Sequence, residues 1–435
     1  MEGSEDCLYL NVSAPVGTTP SDDLPVMVHL HGGGNFFGRA YRNADAMVER
    51  GVIVVTVGYR LGAFGFMGHP AFSEEGGGSS GEYGVLDQIA ALHWVQDNIA
   101  GFGGDPDNVT LFGESAGSFD AVAIAASPLG QGLLTRLAAQ TEAFWGLNGK
   151  NTMADTEEFG SEIAAGLGCS DIPDVLGCLR ALPAEDLVLT VGPGDVDVWV
   201  GGKVLPKAPI ELIGSDTTPV PMLVGSNREE AAFWFAERGI LPGDPYPPAD
   251  RVRDTNALVG PQNGRKLRSL YPVDHYPSAF WASIAAVTDA VYTCPIRRLA
   301  LANRAPVHRY LYTHVYDNSA DPVVTAAGAA HYFDEPILWD DPELFFLPDY
   351  QFSADEELLA DRMAGYWTNF AKTGDPNGPG LESWSPFTAS TENVKVLDEP
   401  AGDLIGYHST ECAFLDQIPN LEGHASDYRP GAGAH

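Results

Sequence analysis

Residues Val109–Gly117 have the sequence VTLFGESAG, in which an apolar stretch runs directly into the pattern Gly-x-Ser-x-Gly. Small apolar residues suited to a helix follow at Ala121–Ala126. Strand, tight turn and helix in this order are typical of a nucleophile elbow, in which the glycines leave room for a serine in a strained turn. A strand-to-helix turn with an incidental serine is the alternative, and the flanking pattern favours the elbow.

Strand and helix patterns alternate along the rest of the chain. A run such as Val52–Val57 is β-branched and apolar on both faces, as in a central parallel strand. The alternation predicts an α/β fold with a mostly parallel sheet covered by helices on both faces, and the lack of a linker predicts one domain over residues 1–435. The other predicted strands are Pro25–Leu30, Val109–Phe112, Pro221–Gly225 and Arg309–Val315, and the predicted helices include Val85–Ile99 and Ala354–Phe370.

The charge balance of the 435 residues excludes several classes of partner. There are 59 acidic and 24 basic side chains, a formal net charge of -35. Nucleic acids and anionic membranes both require positive charge on their protein partner, so we expect neither as a partner.

The sequence shows no pattern of a membrane span, a targeting signal or a zinc site. No apolar run reaches the roughly 18 residues of a membrane span, and Met1–Asp6 does not resemble a secretory signal. No cysteine–histidine cluster has zinc spacing, and we expect no metal and no organic cofactor.

A serine hydroxyl is a weak nucleophile unless a base takes its proton and donors stabilise the oxyanion that forms. The sequence His31-Gly32-Gly33-Gly34 follows a predicted strand, where an oxyanion loop belongs. Backbone N–H groups of Gly33, Gly34 and Ala116 are therefore the predicted donors. A phosphate-binding glycine loop is the alternative, but the characteristic lysine is absent.

The base and its acidic partner should follow later strands, in the order serine, acid, histidine. Glu229 and Glu230 both follow the strand at Pro221–Gly225, and the pattern alone leaves the choice between them open. Among eleven histidines, His331 ends a Gly/Ala-rich loop after the strand at Arg309–Val315 and is the candidate base.

Several longer motifs occur together in the chain: Ser4–Asn11, His31–Gly34, Tyr83-Gly84 with Asp87-Gln88, Phe102–Pro106, Gly113–Gly117, His331–Leu338 and Phe370–Asn377. In combination they resemble type-B carboxylesterases, the carboxylesterase/cholinesterase group of the α/β-hydrolase fold. The resemblance implies an α/β-hydrolase fold and a serine carboxylesterase with the triad Ser115, Glu230 and His331. Glu230 is chosen because Gly225–Glu230 is similar to the family's Gly-x-x-x-(Asp/Glu)-Glu motif.

The resemblance also implies a pairing of the five cysteines, which by themselves are equally compatible with buried thiols. It pairs Cys169 with Cys178 and Cys294 with Cys412, and it leaves Cys7 without a partner because the family normally begins further upstream. We therefore expect a chain that lacks the usual N-terminal strands. Disulfides indicate an extracellular or periplasmic protein.

The leading hypothesis is hydrolysis of a small-molecule carboxylic ester through an acyl-enzyme. A non-catalytic adhesion or binding protein of the same fold is the alternative, although such members typically lack triad residues. Departures from the family pattern occur at Asn35, at Glu82 and at Gln140-Thr141-Glu142. Side chains expected to line the substrate pocket, with a purely structural role as the alternative, are Glu114, Phe36, Trp145, Phe233 and Trp234.

Overall fold

The computed structural model describes residues 3–141, 152–170, 172–192, 195–316, 322–344, 350–418 and Leu421. Trp145 and Glu142 therefore lie outside the described residues. The chain divides into two compact units. The first draws on Met1–Arg42, Gly51–Ala139 and Gly146–Val220, and the second on Asn43–Arg50, Gln140–Trp145 and Pro221–His435. That residues 1–435 form one domain stays a prediction.

The strands of the first unit pair mostly in parallel. They are β1 (Leu10–Ser13), β2 (Leu24–Leu30), β3 (Ile53–Val57), β4 (Gly104–Glu114) and β5 (Arg136–Gln140), whose last residue belongs to the second unit. Strand β2 is parallel to both β3 and β4, and β1 is antiparallel to β3. All five residues of β3 are buried and four of them are valine or isoleucine, which is the composition of a strand covered on both faces.

The second unit continues the same pattern. Its strands are β6 (Met222–Asn227), β7 (Val307–Tyr312), β8 (Asn393–Leu397) and β9 (Gly402–Ile405). Strand β7 is parallel to β6 and to β8, whereas β8 and β9 are antiparallel. The predicted α/β class with mostly parallel strands is confirmed.

Helices separate most of the strands along the chain. They are α1 (Asp45–Val48), α2 (Gly62–Phe66), α3 (Pro70–Glu75), α4 (Tyr83–Asn98), α5 (Ala116–Ala126), α6 (Met153–Gly166), α7 (Val175–Ala181), α8 (Ala184–Val188), α9 (Pro209–Glu211), α10 (Ala231–Glu237), α11 (Pro248–Leu270), α12 (Ala279–Thr288), α13 (Cys294–Ala302), α14 (Pro322–Ala326), α15 (Asp334–Trp339), α16 (Ala354–Thr373) and α17 (Ser409–Leu415). Helix α16 shows how the local sequence sets a boundary: the Ser353 hydroxyl accepts from Glu356 N–H, and the Glu356 carboxylate accepts from Ser353 N–H. Gly374, at φ 81°, ends the same helix.

One helical stretch in the described part of the chain, Ala279–Ala302, is long and apolar enough to cross a membrane. Its mean hydropathy over 18 residues is only 1.2, and 83% of that window is buried inside the protein. It also contains Asp289, Arg297 and Arg298. These features are those of a core helix.

The first turn of helix α5 packs closely against the end of β2. A Cβ atom added at Gly117 would lie 2.0 Å from the carbonyl oxygen of Leu30, and one added at Gly113 would lie 2.6 Å from the same oxygen. Real Cβ atoms do not approach backbone this closely, so only glycine permits the contact. Both glycines of the Gly-x-Ser-x-Gly pattern are therefore required by packing.

Two disulfides lie within the described residues. Cys169 pairs with Cys178 at a Cα–Cα distance of 5.7 Å, and Cys294 pairs with Cys412 at 5.1 Å. Both distances fit disulfide geometry. Cys7 is a half-buried free thiol. The cysteine pairing implied by the family resemblance is confirmed.

Thiol titration checks this pairing in solution. In denaturant without reductant we expect one reactive thiol per chain, because only Cys7 is free, and none in Cys7→Ser. After reduction the parent should show all five. Five reactive thiols before reduction would contradict both bridges.

Replacing Gly117 by alanine should destabilise the protein by at least about 1–3 kcal/mol, because the new methyl group collides with the backbone of β2. Gly101→Ala is the matched control, since an added Cβ there meets nothing within 4 Å, and we expect a change within about 1 kcal/mol. Urea unfolding measures both. Equal stability of the two variants would show that the helix does not pack this closely.

Candidate active site

Ser115 lies in the turn between β4 and α5, as the sequence predicts. Its backbone has φ 55° and ψ −126°, a conformation that residues other than glycine rarely adopt. The Ser115 carbonyl accepts from the N–H groups of Ser118 and Phe119, which fixes the turn to the first coil of α5. A serine in such a strained turn presents its hydroxyl at the tip of the strand.

The glycine loop lies beside this turn in the same unit. A Cβ added at Gly32 would lie 3.1 Å from the Cβ of Ser115 and 2.7 Å from Oε2 of Glu114. Gly33 and Gly34 have φ 106° and 61°, so the loop uses conformations that favour glycine. Glu114 itself is 2% exposed. The structure thus brings together Ser115, Glu114 and the predicted oxyanion loop.

His31 anchors the start of this loop. Its Nδ1 is 2.8 Å from the carbonyl oxygen of Gly32, and its ring stacks on Tyr59 at 4.4 Å between centroids. Burial lowers the pKa of His31 to about 4, so the ring is neutral at pH 7. His31 therefore packs and positions the loop without adding charge to it.

Glu230 and His331 meet in the second unit. His331 Nδ1 lies 2.8 Å from Glu230 Oε2, and the two side chains are 5% and 0% exposed. A carboxylate can only accept, so Nδ1 carries the hydrogen and Nε2 is left as the basic nitrogen. Burial raises the pKa of Glu230, and its hydrogen bond to His331 acts in the opposite direction. The pair has the geometry of a general base and its orienting carboxylate.

The other oxygen of Glu230 is held as well. Oε1 accepts from the Thr141 hydroxyl at 2.9 Å and from the Asn227 N–H at 2.6 Å. Hydrogen bonds from neutral donors stabilise a buried carboxylate that would otherwise be costly. Thr141, noted in the sequence only as a departure from the family pattern, is thus a direct partner of the candidate acid.

Glu229 has different partners. Its carboxylate pairs with Arg228 and accepts from the Ala329 N–H at 2.9 Å, and its own N–H donates to the Ala329 carbonyl at 3.0 Å. Glu229 therefore ties the strand end to the loop that leads into His331. The two adjacent carboxylates thus differ in their contacts: Glu230 is hydrogen-bonded to His331, and Glu229 to Arg228 and Ala329.

A buried polar cluster that the sequence did not predict lies next to the turn that carries His331. Asp334 accepts from Asn227 Nδ2 at 3.1 Å and from Gln140 Nε2 at 2.9 Å, and Asn227 also donates to the Ala330 carbonyl at 2.7 Å. All three side chains are fully buried. They come from separate parts of the chain and fix the turn that carries His331.

Aromatic rings surround His331. The ring centroids of Phe233, Trp234 and Tyr292 lie 5.7, 5.3 and 5.8 Å from that of His331. Trp234 donates to the Tyr292 hydroxyl at 2.6 Å. Phe233 and Trp234 were predicted, whereas Tyr292 had no local signal. Phe36 is half-buried in the loop after Gly34 in the first unit.

The chain is similar to known proteins over most of its length. The profile of the carboxylesterase family matches residues 1–415. The cocaine esterase of Homo sapiens is 34% identical over 424 residues, covering 92% of this chain and 73% of the relative. The liver carboxylesterase 1F of Rattus norvegicus is 32% identical over 450 residues, covering 91% and 74%.

Among solved structures, a thermophilic PNB esterase superposes with a TM-score of 0.80 at 30% identity, covering 95% of this chain and 84% of that one. The similarity confirms the α/β-hydrolase fold. The chain therefore belongs to the carboxylesterase family and is a carboxylic ester hydrolase.

Proposed function

We propose that ester hydrolysis proceeds through a triad of Ser115, His331 and Glu230. The observation that carries this proposal is the buried hydrogen bond of 2.8 Å between Glu230 and His331 Nδ1, which leaves Nε2 as a base. The strained backbone of Ser115 supports its role as nucleophile. The order of the three residues along the chain is that of α/β-hydrolases.

The reaction has two balanced halves. Ser115 Oγ forms a bond to the ester carbonyl carbon while its proton moves to His331 Nε2, and Glu230 stabilises the imidazolium. The tetrahedral intermediate then breaks the carbon–alkoxy bond, and the alcohol leaves with that proton. Water then attacks the acyl carbon while His331 Nε2 takes a proton from it. The bond between the acyl carbon and Ser115 Oγ breaks as that proton passes to Oγ, which releases the acid and restores free Ser115. Ester and water are the only reactants consumed.

Backbone N–H groups of Gly33, Gly34 and Ala116 are the proposed oxyanion hole. The close approach of the glycine loop to Ser115 supports this role, because a side chain at Gly32 would collide with Glu114 and Ser115. One such donor typically contributes about 10²–10³-fold to the rate.

The proposed substrate is a small neutral or cationic ester with an apolar acyl or alcohol group. Phe233 and Trp234 supply apolar surface near His331, and Phe36 and the Glu114 carboxylate are the proposed contributions of the glycine loop and the elbow. The net charge of -35 disfavours anionic esters. The proposed location is outside the reducing cytosol, in an extracellular or periplasmic space, and the two disulfides support it.

The nucleophile is tested by comparing the 435-residue chain with Ser115→Ala on p-nitrophenyl butyrate. We expect turnover by the parent and a loss of at least about 10⁴-fold in the variant, because no other hydroxyl replaces the attacking group. Circular dichroism establishes that both are folded. Undiminished hydrolysis by the variant would exclude Ser115 as the nucleophile.

The acid is tested by Glu230→Gln beside Glu229→Gln. Glutamine at position 230 keeps the shape but cannot stabilise the imidazolium, so we expect kcat to fall about 10³–10⁴-fold. Glutamine at position 229 still accepts from Ala329 N–H, so a loss below about tenfold is expected. The reverse ranking of kcat values would mean that the neighbouring carboxylate is the acid.

A further inference from the structure

We infer that Asp120 is a positioning residue for the oxyanion loop, which it fixes through Asn35 to the helix that begins at Ser115. The inference rests on the proposed function, because it concerns how the donors of Gly33 and Gly34 are held. It assigns a role to a carboxylate that the mechanism itself does not use.

Asp120 is out of place in its own helix. The residues that follow it in α5, Ala121–Ala126, are all apolar, and the Asp120 side chain is fully buried. A buried carboxylate is costly unless hydrogen bonds stabilise it. Its two oxygens face two amide donors: Oδ1 accepts from Asn35 Nδ2 at 3.2 Å, and Oδ2 accepts from Gln88 Nε2.

Asn35 directly follows Gly34 and is itself held on several sides. Its backbone has φ 55°, its carbonyl accepts from Gly62 N–H at 2.7 Å, and its side-chain oxygen faces the Tyr59 hydroxyl at 3.4 Å. The same hydroxyl donates to the His31 carbonyl at 2.7 Å. Hydrogen bonds therefore hold both ends of the loop from His31 to Asn35: Tyr59 binds the His31 end and Asp120 binds the Asn35 end.

The carboxylate suits this place better than a neutral side chain. A carboxylate accepts on both oxygens, whereas an asparagine in its place would present an N–H₂ group to one of the two amide donors. Burial raises the pKa of Asp120 to about 7 although the bonds from Gln88 and Asn35 oppose that rise, so the carboxylate form predominates above pH 7, where the variants are compared. The arrangement thus links three elements: the glycine loop, α4 through Gln88, and α5, whose first residues follow Ser115.

A structural role alone would predict a different result from a positioning role. If Asp120 only holds the core together, its loss lowers stability while the folded fraction keeps its kcat. If it positions the loop, the N–H groups of Gly33 and Gly34 move away from the oxyanion. The transition state is then destabilised more than the bound ester, so kcat falls and KM changes little.

The test uses Asp120→Asn and a double variant that combines Asp120→Asn with Asn35→Asp. In the double variant the amide and the carboxylate change places, so that the side chain at position 120 donates to the one at position 35 and still accepts from Gln88. With p-nitrophenyl butyrate we expect Asp120→Asn to lower kcat about 10–100-fold with KM within about threefold. The exchange should restore most of the lost kcat. Urea unfolding corrects each rate for the folded fraction.

A trifluoromethyl ketone supplies a readout of the hole itself, because its adduct with Ser115 places an oxyanion there. Its inhibition constant should rise in Asp120→Asn by a factor similar to the fall in kcat. If Asp120→Asn does not fold, Asn35→Gly removes the same hydrogen bond, tolerates φ 55°, and should show the same loss of kcat.

Each outcome decides a separate question. An active parent that is silenced by Ser115→Ala supports the proposed function independently of Asp120. In that case, an unchanged kcat and inhibition constant in Asp120→Asn overturn the positioning role alone, as does a double variant that is folded but not restored. A folded parent without turnover overturns the proposed function and this inference together.

Discussion

The backbone of Ser115 at φ 55° is the constraint around which the first unit is organised. Such a conformation costs roughly 1–3 kcal/mol and persists only where the surroundings impose it. Here the surroundings are the end of β4, the start of α5 and the carbonyl of Leu30, which lies against both glycines of the turn. The end of β4 and the start of α5 can approach β2 this closely only because the two glycines carry no side chain.

In the second unit the main constraint is the buried Glu230 carboxylate beside His331, which needs hydrogen-bond donors to remain charged. Glu230 receives three hydrogen bonds, from His331, Thr141 and Asn227. Asp334 in turn orders Asn227 and Gln140. These hydrogen bonds favour one orientation and one tautomer of the His331 imidazole, which is what its proposed role as general base requires before the substrate arrives.

The parts of the site that are contiguous in the chain could be predicted from sequence. The elbow, the glycine loop and the strands that precede them each lie within one short segment, so turn chemistry and hydrophobic pattern are sufficient. The choice between Glu229 and Glu230 needed the family resemblance, because adjacent carboxylates after one strand differ only in their three-dimensional contacts. Tyr292 had no local signal. Asn35 was visible only as a departure from the family pattern, and nothing in the sequence pointed to its partner Asp120, 85 residues away.

The nucleophile can be located without assuming a substrate. A fluorophosphonate probe reacts only with a serine activated by a neighbouring base, and peptide mass spectrometry then locates the adduct. A single adduct per chain on the peptide that contains Ser115, lost in His331→Ala, is the predicted result. A parent that hydrolyses esters but carries the adduct on another residue, or none, would contradict a serine mechanism centred on Ser115.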